Sequence, residues 1–423
     1  MERPKAIDLF CGAGGMSLGF EQAGFDIVGS VEIDPIHAAV HKYNFPNTAT
    51  ICRDITELTG KEILERANLE AGSVDVVFGG PPCQGFSLIG KRLVDDPRNS
   101  LLGHFGRIVK EIEPKYFVME NVSGLTIGHS KQILNQFIYE MTESKYEVVS
   151  YRVLTAANYG VPQDRKRLFV YGYRKDVIAP NYPEPITEVR HKKGLQDTQG
   201  ALLPLCPSVE DAIGDLPNID EFDVLTKFDS IPYNVSPKSN YARILHGVSE
   251  DENDFSYPRV WHQNKLTNSL RTKHTSVSVK RFLCTDWGET ESVSRFFKLH
   301  PEGICNTLRA GTDSKRGAYT SPRPIHPYHG RVISVREAAR LHSFPDWFRL
   351  HVTKWHGFRQ VGNSVPPLLA RAVAGQIIKA MDVVPIKPGP INLGNENLLS
   401  LNMSAAADMF NVPRDVIGTR DRK

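Results

Sequence analysis

Between Lys5 and about Arg174, short apolar runs alternate with amphipathic stretches. KAIDLF, DIVGSVEID, SVDVVF and KYFVMENV are rich in β-branched and aromatic residues and read as buried strands. SLGFEQAG, PIHAAVHKYN and LLGHFGRIVKEI carry helical periodicity, the second with proline at its first turn. YEVVSYRVL and RLFVYGYR predict two later strands, paired as an edge hairpin. Strands alternating with helices predict an α/β fold, a doubly wound, mostly parallel, Rossmann-like sheet.

After about Arg174 the texture changes. Residues 175–330 are rich in Pro, Asn, Asp, Ser and Lys with weak periodicity, which predicts a second, smaller and irregular domain. A long disordered insert is the alternative, and apolar groups such as VWHQ and RFF favour the folded version. Helical pattern returns with VREAARLHSF, and PPLLARAVAGQIIKAM is a strong amphipathic helix. The expected division is therefore 1–174, 175–330, a return to the first domain over 331–385, and a C-terminal tail over 386–423. Proline and polar residues predict that this tail packs loosely.

A length of 423 residues permits a large core, and 40% apolar with 23% charged residues is the mix of a soluble protein. The apolar runs are too short for a membrane span, and the N-terminus lacks the layout of a secretion signal, so a cytoplasmic setting without membrane attachment is expected. Six cysteines, at 11, 52, 83, 206, 284 and 305, are too far apart for a zinc knuckle or redox pair, so no metal is expected and each thiol is either buried or reactive. A formal charge of +3 neither requires nor excludes a polyanionic partner.

DLFCGAGGMS places Gly12, Gly14 and Gly15 between a strand and a helix, a turn that lets backbone approach a ligand. A dinucleotide pattern starting at Gly12 needs glycine or alanine at position 17, and Ser17 stands there, which weakens a pyrophosphate reading. Glu32, at the end of the second strand, is placed to accept from both hydroxyls of a ribose, and Asp54 follows a third strand within reach of an adenine amino group. Together these suit an adenosine ligand carrying little phosphate, such as S-adenosylmethionine. Each acid could instead be a helix cap or an exposed strand end.

FGGPPCQGFS sets Cys83 at the head of a loop beyond a strand's carboxyl end, where open α/β sheets hold their ligands. From these residues alone, Cys83 is either a displayed nucleophile or a buried structural cysteine.

The ordered series DLFCGAGG, GGPPCQGFS, MENV, QDRKR, RLHSFP and GNSVPP resembles that of the cytosine-C5 DNA methyltransferases of the bacterial and phage restriction-modification type, from Ile7 to about Pro367. The resemblance implies a methyltransferase sheet that binds S-adenosylmethionine, and catalysis on double-stranded DNA by Cys83, Glu120 and Arg165. Cys83 adds to C6 of a flipped cytosine, Glu120 supplies a proton near N3, and Arg165 contacts the base and helps hold Glu120. It further implies cofactor contacts from Phe10, Gly12, Gly14, Glu32, Asp54, Ile55, Pro81, Leu101, Asn363 and Ser364. Gln84, Ser87, Arg98 and Arg167 are expected on the DNA side, Arg167 in the more structural role. RHKK (190–193) and RTKHTSVSVKR (271–281) suit phosphates and base edges within the region that selects the target site.

The implied enzyme protects DNA from a cognate restriction endonuclease, a functional rather than physical partner, and acts as a monomer. Two alternatives use the same scaffold. A tRNA cytosine methyltransferase would carry a shorter middle region, and a non-catalytic DNA-binding regulator would have no reason to keep Cys83, Glu120 and Arg165 together.

Overall fold

The computed structural model describes residues 2–82, 100–128, 130–194, 202–311 and 323–417. The first part of the chain runs β1 (Lys5–Leu9), α1 (Gly15–Ala23), β2 (Asp26–Glu32), α2 (Pro35–Asn44), β3 (Ala49–Cys52), α3 (Gly60–Arg66) and β4 (Val76–Gly79). It continues through α4 (Ser100–Ile112), β5 (Tyr116–Val122), α5 (Ser130–Thr142), β6 (Tyr146–Val148), β7 (Arg152–Thr155), β8 (Gln163–Asp164) and β9 (Lys166–Arg174). One eight-stranded sheet results, in the order β3-β2-β1-β4-β5-β9-β6 with β7 also along β9. The five strands β1 to β5 are parallel, and β9 joins β5 antiparallel.

Local chemistry sets the element ends. The Asp34 carboxylate accepts from the amides of Ile36 and His37 and Pro35 stands at the first turn, so α2 starts there. Gly24, at φ 113°, ends α1 in the left-handed conformation. Both sheet faces are covered, which is why the parallel strands are apolar almost throughout. On one face Phe20 stacks on Phe78 with ring centroids 3.7 Å apart, and Leu369, Val373 and Ile377 complete the layer. On the other, Ile63, Phe105, Ile108, Leu134 and Met141 pack on Val77 and Phe117.

The stretch YEVVSYRVL is not one strand of an edge hairpin. Val148 pairs with Gly172 and Arg152 with Phe169, so four steps on one side face three on the other, and the extra residue splits the run into β6 and β7. β9 is consequently an interior strand.

Downstream lie α6 (Val209–Ile213), α7 (Asn240–His246), α8 (Ser276–Cys284), α9 (Val335–Arg340), α10 (Lys354–Asn363), α11 (Pro367–Ala380) and α12 (Met403–Phe410). α11 returns to α1 with almost no gap between backbones: a Cβ on Gly19 would fall 2.4 Å from Ala370 Cβ and 2.6 Å from the Pro367 carbonyl. The middle region has a small cluster of its own, formed by Ile219, Leu225, Ile231, Val235 and Leu266. It also shares a core with the first part of the chain, where Val209, Ile213, Tyr241 and Leu245 meet Leu18, Val40 and Phe45. A buried pair, Arg259 on Glu21 at 2.8 and 3.0 Å, ties it to α1.

The segment after 385 does not pack loosely, contrary to the expectation from its composition. Ile391–Asn392 pairs in parallel with Arg259–Val260, and α12 buries Ala407 against Ala38 and Cys52 beside α2. Alanines at 405–407 give this helix a face small enough for close approach, and Asn402 caps it. Among the described residues no helix is long and apolar enough to cross a membrane.

Candidate active site

Strand order reverses between β1 and β4, and the chain segments leaving their carboxyl ends, Phe10–Gly15 and Gly79–Pro82, flank the resulting crevice. Phe10 (φ 67°), Gly12 (φ 55°) and Gly14 (φ 101°) all adopt the left-handed region, which a bulky residue such as phenylalanine adopts only under constraint. The turn is held by Cys11 N to Val31 O at 3.0 Å and Gly14 N to Cys11 O at 2.9 Å. A Cβ on Gly15 would lie 2.7 Å from both Ser364 Cβ and the Val365 carbonyl, so the GNSVPP segment abuts the glycine turn and brings Ser364 to it. The neighbouring Asn363 is exposed at the end of α10.

Glu32 is buried at the end of β2, where Oε2 accepts from Gly12 N and Oε1 from Asp34 N, each at 2.8 Å. Burial raises its pKa above the ordinary carboxylate value, against the opposing pull of His37 and the Asp34 amide. One amide per oxygen leaves acceptor capacity for two hydroxyls. Phe10 and Leu101 pack against the cluster that includes Ile55, an apolar wall suited to a flat heteroaromatic ring. Asp54 Oδ1 accepts from Thr56 N at 2.9 Å in a local turn, and its side chain is only partly buried. A carboxylate with free lone pairs, an apolar wall and a glycine turn fit an adenosine-containing methyl donor.

Across the crevice, Glu120 is buried two residues before the end of β5, with its Oε1 2.8 Å from Arg167 Nε. Burial raises its pKa, and the charges of Arg167 and then Arg165 oppose that rise. A Cβ on Gly80 would fall 2.6 Å from Glu120 Oε2, and Asn121 Nδ2 donates to the Pro81 carbonyl at 3.1 Å. The chain running into Cys83 is thereby fixed against the Glu120 carboxyl. Cys83, Gln84, Ser87 and Arg98 lie outside the described residues.

The structure gives the Glu120 pairing to the other arginine of QDRKR. Arg165, expected to hold Glu120 and touch the base, is fully buried, and its guanidinium donates to the carbonyls of Leu308, Gly362 and Ser364 at 2.8 Å each. Arg167, expected in the structural role, makes the ion pair with Glu120. Residues two apart share a face only within one strand, and β9 begins at Lys166. Arg165 stands outside that ladder and staples the returning segment instead.

Two buried networks escaped the sequence reading. Ser17, seen there only as a departure from a glycine pattern, donates to Asp8 Oδ2 at 2.5 Å and lies 3.0 Å from His41 Nε2. Burial raises the Asp8 pKa well above normal and lowers that of His41 to about 3, so the hydrogen-bonded chain beneath the glycine turn favours uncharged forms. Gln163 Nε2 donates to the Leu341 carbonyl at 3.2 Å and meets His342 Nδ1 at 3.0 Å, while the His342 Nε2 lies 3.1 Å from the Ser364 carbonyl. The only sequence signal for the second was glutamine within QDRKR.

Residues 4–379 match the pattern of the family described as C-5 cytosine-specific DNA methylase. The Type II methyltransferase M.XorII of Xanthomonas oryzae pv. oryzae is 53% identical over 424 aligned positions, spanning 100% of this chain and 96% of that protein. M.DdeI of Desulfomicrobium norvegicum, also named a Type II methyltransferase, is 32% identical, with 88% of each chain covered. A crystal structure of an E. coli prophage-encoded protein, described as a DNA modification methyltransferase, superposes with a TM-score of 0.71 at 32% identity, covering 90% of this chain and 99% of that one.

Proposed function

The chain belongs to the C-5 cytosine-specific DNA methylase family, and on that premise we propose that it methylates a cytosine flipped out of duplex DNA, using S-adenosylmethionine, within a type II restriction-modification system. The observation that carries this reading is the buried Glu120 carboxyl, paired with Arg167 and set beneath the Gly80–Pro81 backbone that leads to Cys83.

C5 of cytosine is a weak nucleophile. Addition of the Cys83 thiolate to C6 breaks the ring's aromaticity and pushes negative charge toward N3. Glu120, whose pKa burial raises, donates a proton to N3 and holds that charge, while Arg167 fixes the carboxyl. The enamine so formed attacks through C5. The bound S-adenosylmethionine supplies an electrophilic methyl group, which Glu32 and the Phe10–Gly15 turn would hold across the ring from Cys83. Loss of the C5 proton to a base, expulsion of the thiolate and return of the N3 proton to Glu120 restore the neutral aromatic ring. A base inside a duplex cannot be reached in this way, so it must leave the stack, at a cost of a few kcal/mol.

The enzyme acts as a monomer in the cytoplasm, and its restriction partner is a functional one. Incubation with labelled donor and either duplex DNA or tRNA tests the substrate: label is expected in DNA, and label entering only tRNA would overturn the reading. Bisulfite mapping of plasmid DNA from expressing cells would then identify the modified site.

A further inference from the structure

Charges withdrawn from water are ordinarily paired, because an isolated buried ion is costly. Most buried arginines here obey the rule. Arg331 grips both oxygens of Glu337 at 2.8 and 2.7 Å, and Arg340 grips Asp346 at 2.6 Å. Arg323 does not. Its guanidinium carbon lies 4.7 Å from the ring centroid of Phe358 on α10, its Nε is buried without a hydrogen-bond partner, and among the described residues it has no carboxylate partner.

A second cation stands beside it. Lys354, one turn before Phe358, donates from Nζ to the Arg271 carbonyl at 2.8 Å and likewise has no carboxylate partner among the described residues. Burial lowers the pKa of both groups, and Arg323 lowers that of Lys354 further. His274 faces the same place. Its Nε2 accepts from Val332 N at 3.3 Å, which leaves the ring proton on Nδ1 as a donor. Its pKa is lowered by burial, with Asp220 opposing and Lys354, Arg331 and Arg323 adding to the effect. The nearest acids, Asp220 and Asp223, are held by Arg271 at 2.9 and 3.2 Å. The local excess of charge is therefore positive.

The position of this cluster identifies its ligand. α10 runs from Lys354 to Asn363, and its Gly362 carbonyl is the one that Arg165 holds beside the Glu120–Arg167 pair. Ten residues rise about 14 Å, close to the axial length of about four nucleotides of duplex DNA. Exposed Arg309 has its backbone against Gly362 at the far end of α10, and exposed Lys273 follows two residues after the Arg271 carbonyl that Lys354 holds. We propose that Arg323 and Lys354, assisted by His274 Nδ1, contact a backbone phosphate of the substrate duplex within about four nucleotides of the target cytosine. This rests on the DNA reading above. The site supplies affinity and register, and reads no sequence.

The test uses the full-length protein carrying R323Q, K354Q or both, with duplexes that contain or lack the target site, titrated across a range of salt. Because the two cations meet one phosphate, the double change should weaken both duplexes several-fold and reduce the slope of log affinity against log salt by about 0.9, and each single change by part of that. R323K should restore the slope. R414Q, which removes an exposed cation paired with Asp408 in the C-terminal segment, should leave it unchanged. Because the lost charges lack carboxylate partners, the variants should melt no lower than wild type, whereas a structural role predicts lower melting. An unchanged slope in the double variant, or a loss confined to the target-containing duplex, would overturn the proposal. A methylphosphonate scan of wild-type DNA gives the answer without altering the protein: at least one neutralised phosphate within about four nucleotides of the cytosine should weaken wild type and not the double variant. Absence of any such position also overturns it. Failure of wild type to methylate DNA at all would instead sink the reading on which the proposal rests.

Discussion

Arg167 Nε lies 2.8 Å from Glu120 Oε1, and the other oxygen of this carboxylate lies against the Gly80 backbone, three residues before Cys83. The pair makes the pH dependence of catalysis predictable. Burial raises the Glu120 pKa and Arg167 opposes it, so R167M should move that pKa further up. If the acid form of Glu120 is required, activity falls as pH rises through its pKa. The alkaline limb of kcat/KM should then shift to higher pH in R167M, while kcat drops about 100-fold from lost orientation. E120Q should cost about 100- to 10,000-fold at all pH values. A limb that stays in place in R167M would remove Glu120 from the proton transfer.

The contact between the glycine turn and the returning segment predicts a binding defect. In G15A the new methyl group meets the Val365 carbonyl and Ser364 Cβ, each 2.7 Å from its ideal position, and backbone must shift. Stability should fall by about 1–3 kcal/mol. Calorimetric affinity for S-adenosylmethionine should drop tenfold or more, with a smaller change in kcat at saturation. Unaltered donor affinity would show that the GNSVPP segment does not shape the cofactor site.

The middle of the chain should prove energetically inseparable from the first part. R259M leaves Glu21 buried and unpaired, which predicts a loss of about 3–5 kcal/mol in urea denaturation. The double variant R259M/E21L should recover most of it, because an apolar pair needs no partner charges. Equal destabilisation of the single and double variants would contradict this.

Much of the sheet was legible because buried parallel strands are written as unbroken apolar runs, and the ends of β1, β2, β4 and β5 could be placed to within a residue or two. Glu32 followed from one of those ends, whereas Glu120 came with the resemblance carried by MENV. The pairing of Glu120 with Arg167 rather than Arg165 was not legible, since it depends on which residue begins β9, and strand boundaries are poorly encoded locally. Ser17 was hidden for another reason. A hydroxyl in place of a small residue looks like a lost motif until its partners Asp8 and His41, nine positions before it and twenty-four after it, are seen beside it. α12 was masked by the prolines and polar residues around it, and its burial comes from α2, far away in sequence.

Acid sensitivity should be evident at the start of α9. Burial alone would raise the Glu337 pKa, but Arg331, His326 and the Ser334 amide overcome that and bring it down to about 2 from an ordinary value of 4.5. A depressed carboxylate stabilises the fold above its unfolded pKa and loses that contribution as pH falls toward its folded one. E337Q should therefore be markedly less stable than wild type at pH 7, and the difference should shrink between about pH 4.5 and pH 2. A pH-independent difference in melting temperature would show that packing, rather than charge, sets its contribution.

The covalent route through Cys83 is tested most directly by trapping. A duplex carrying 5-fluorocytosine at the target position cannot release the C5 substituent as a proton, so with S-adenosylmethionine present the thioether to C6 persists. A denaturation-resistant protein–DNA complex is expected, with mass spectrometry locating the adduct on Cys83 and C83S forming none while still binding DNA. Failure to trap wild type on a duplex that it methylates in unfluorinated form, or an adduct on another residue, would contradict the mechanism.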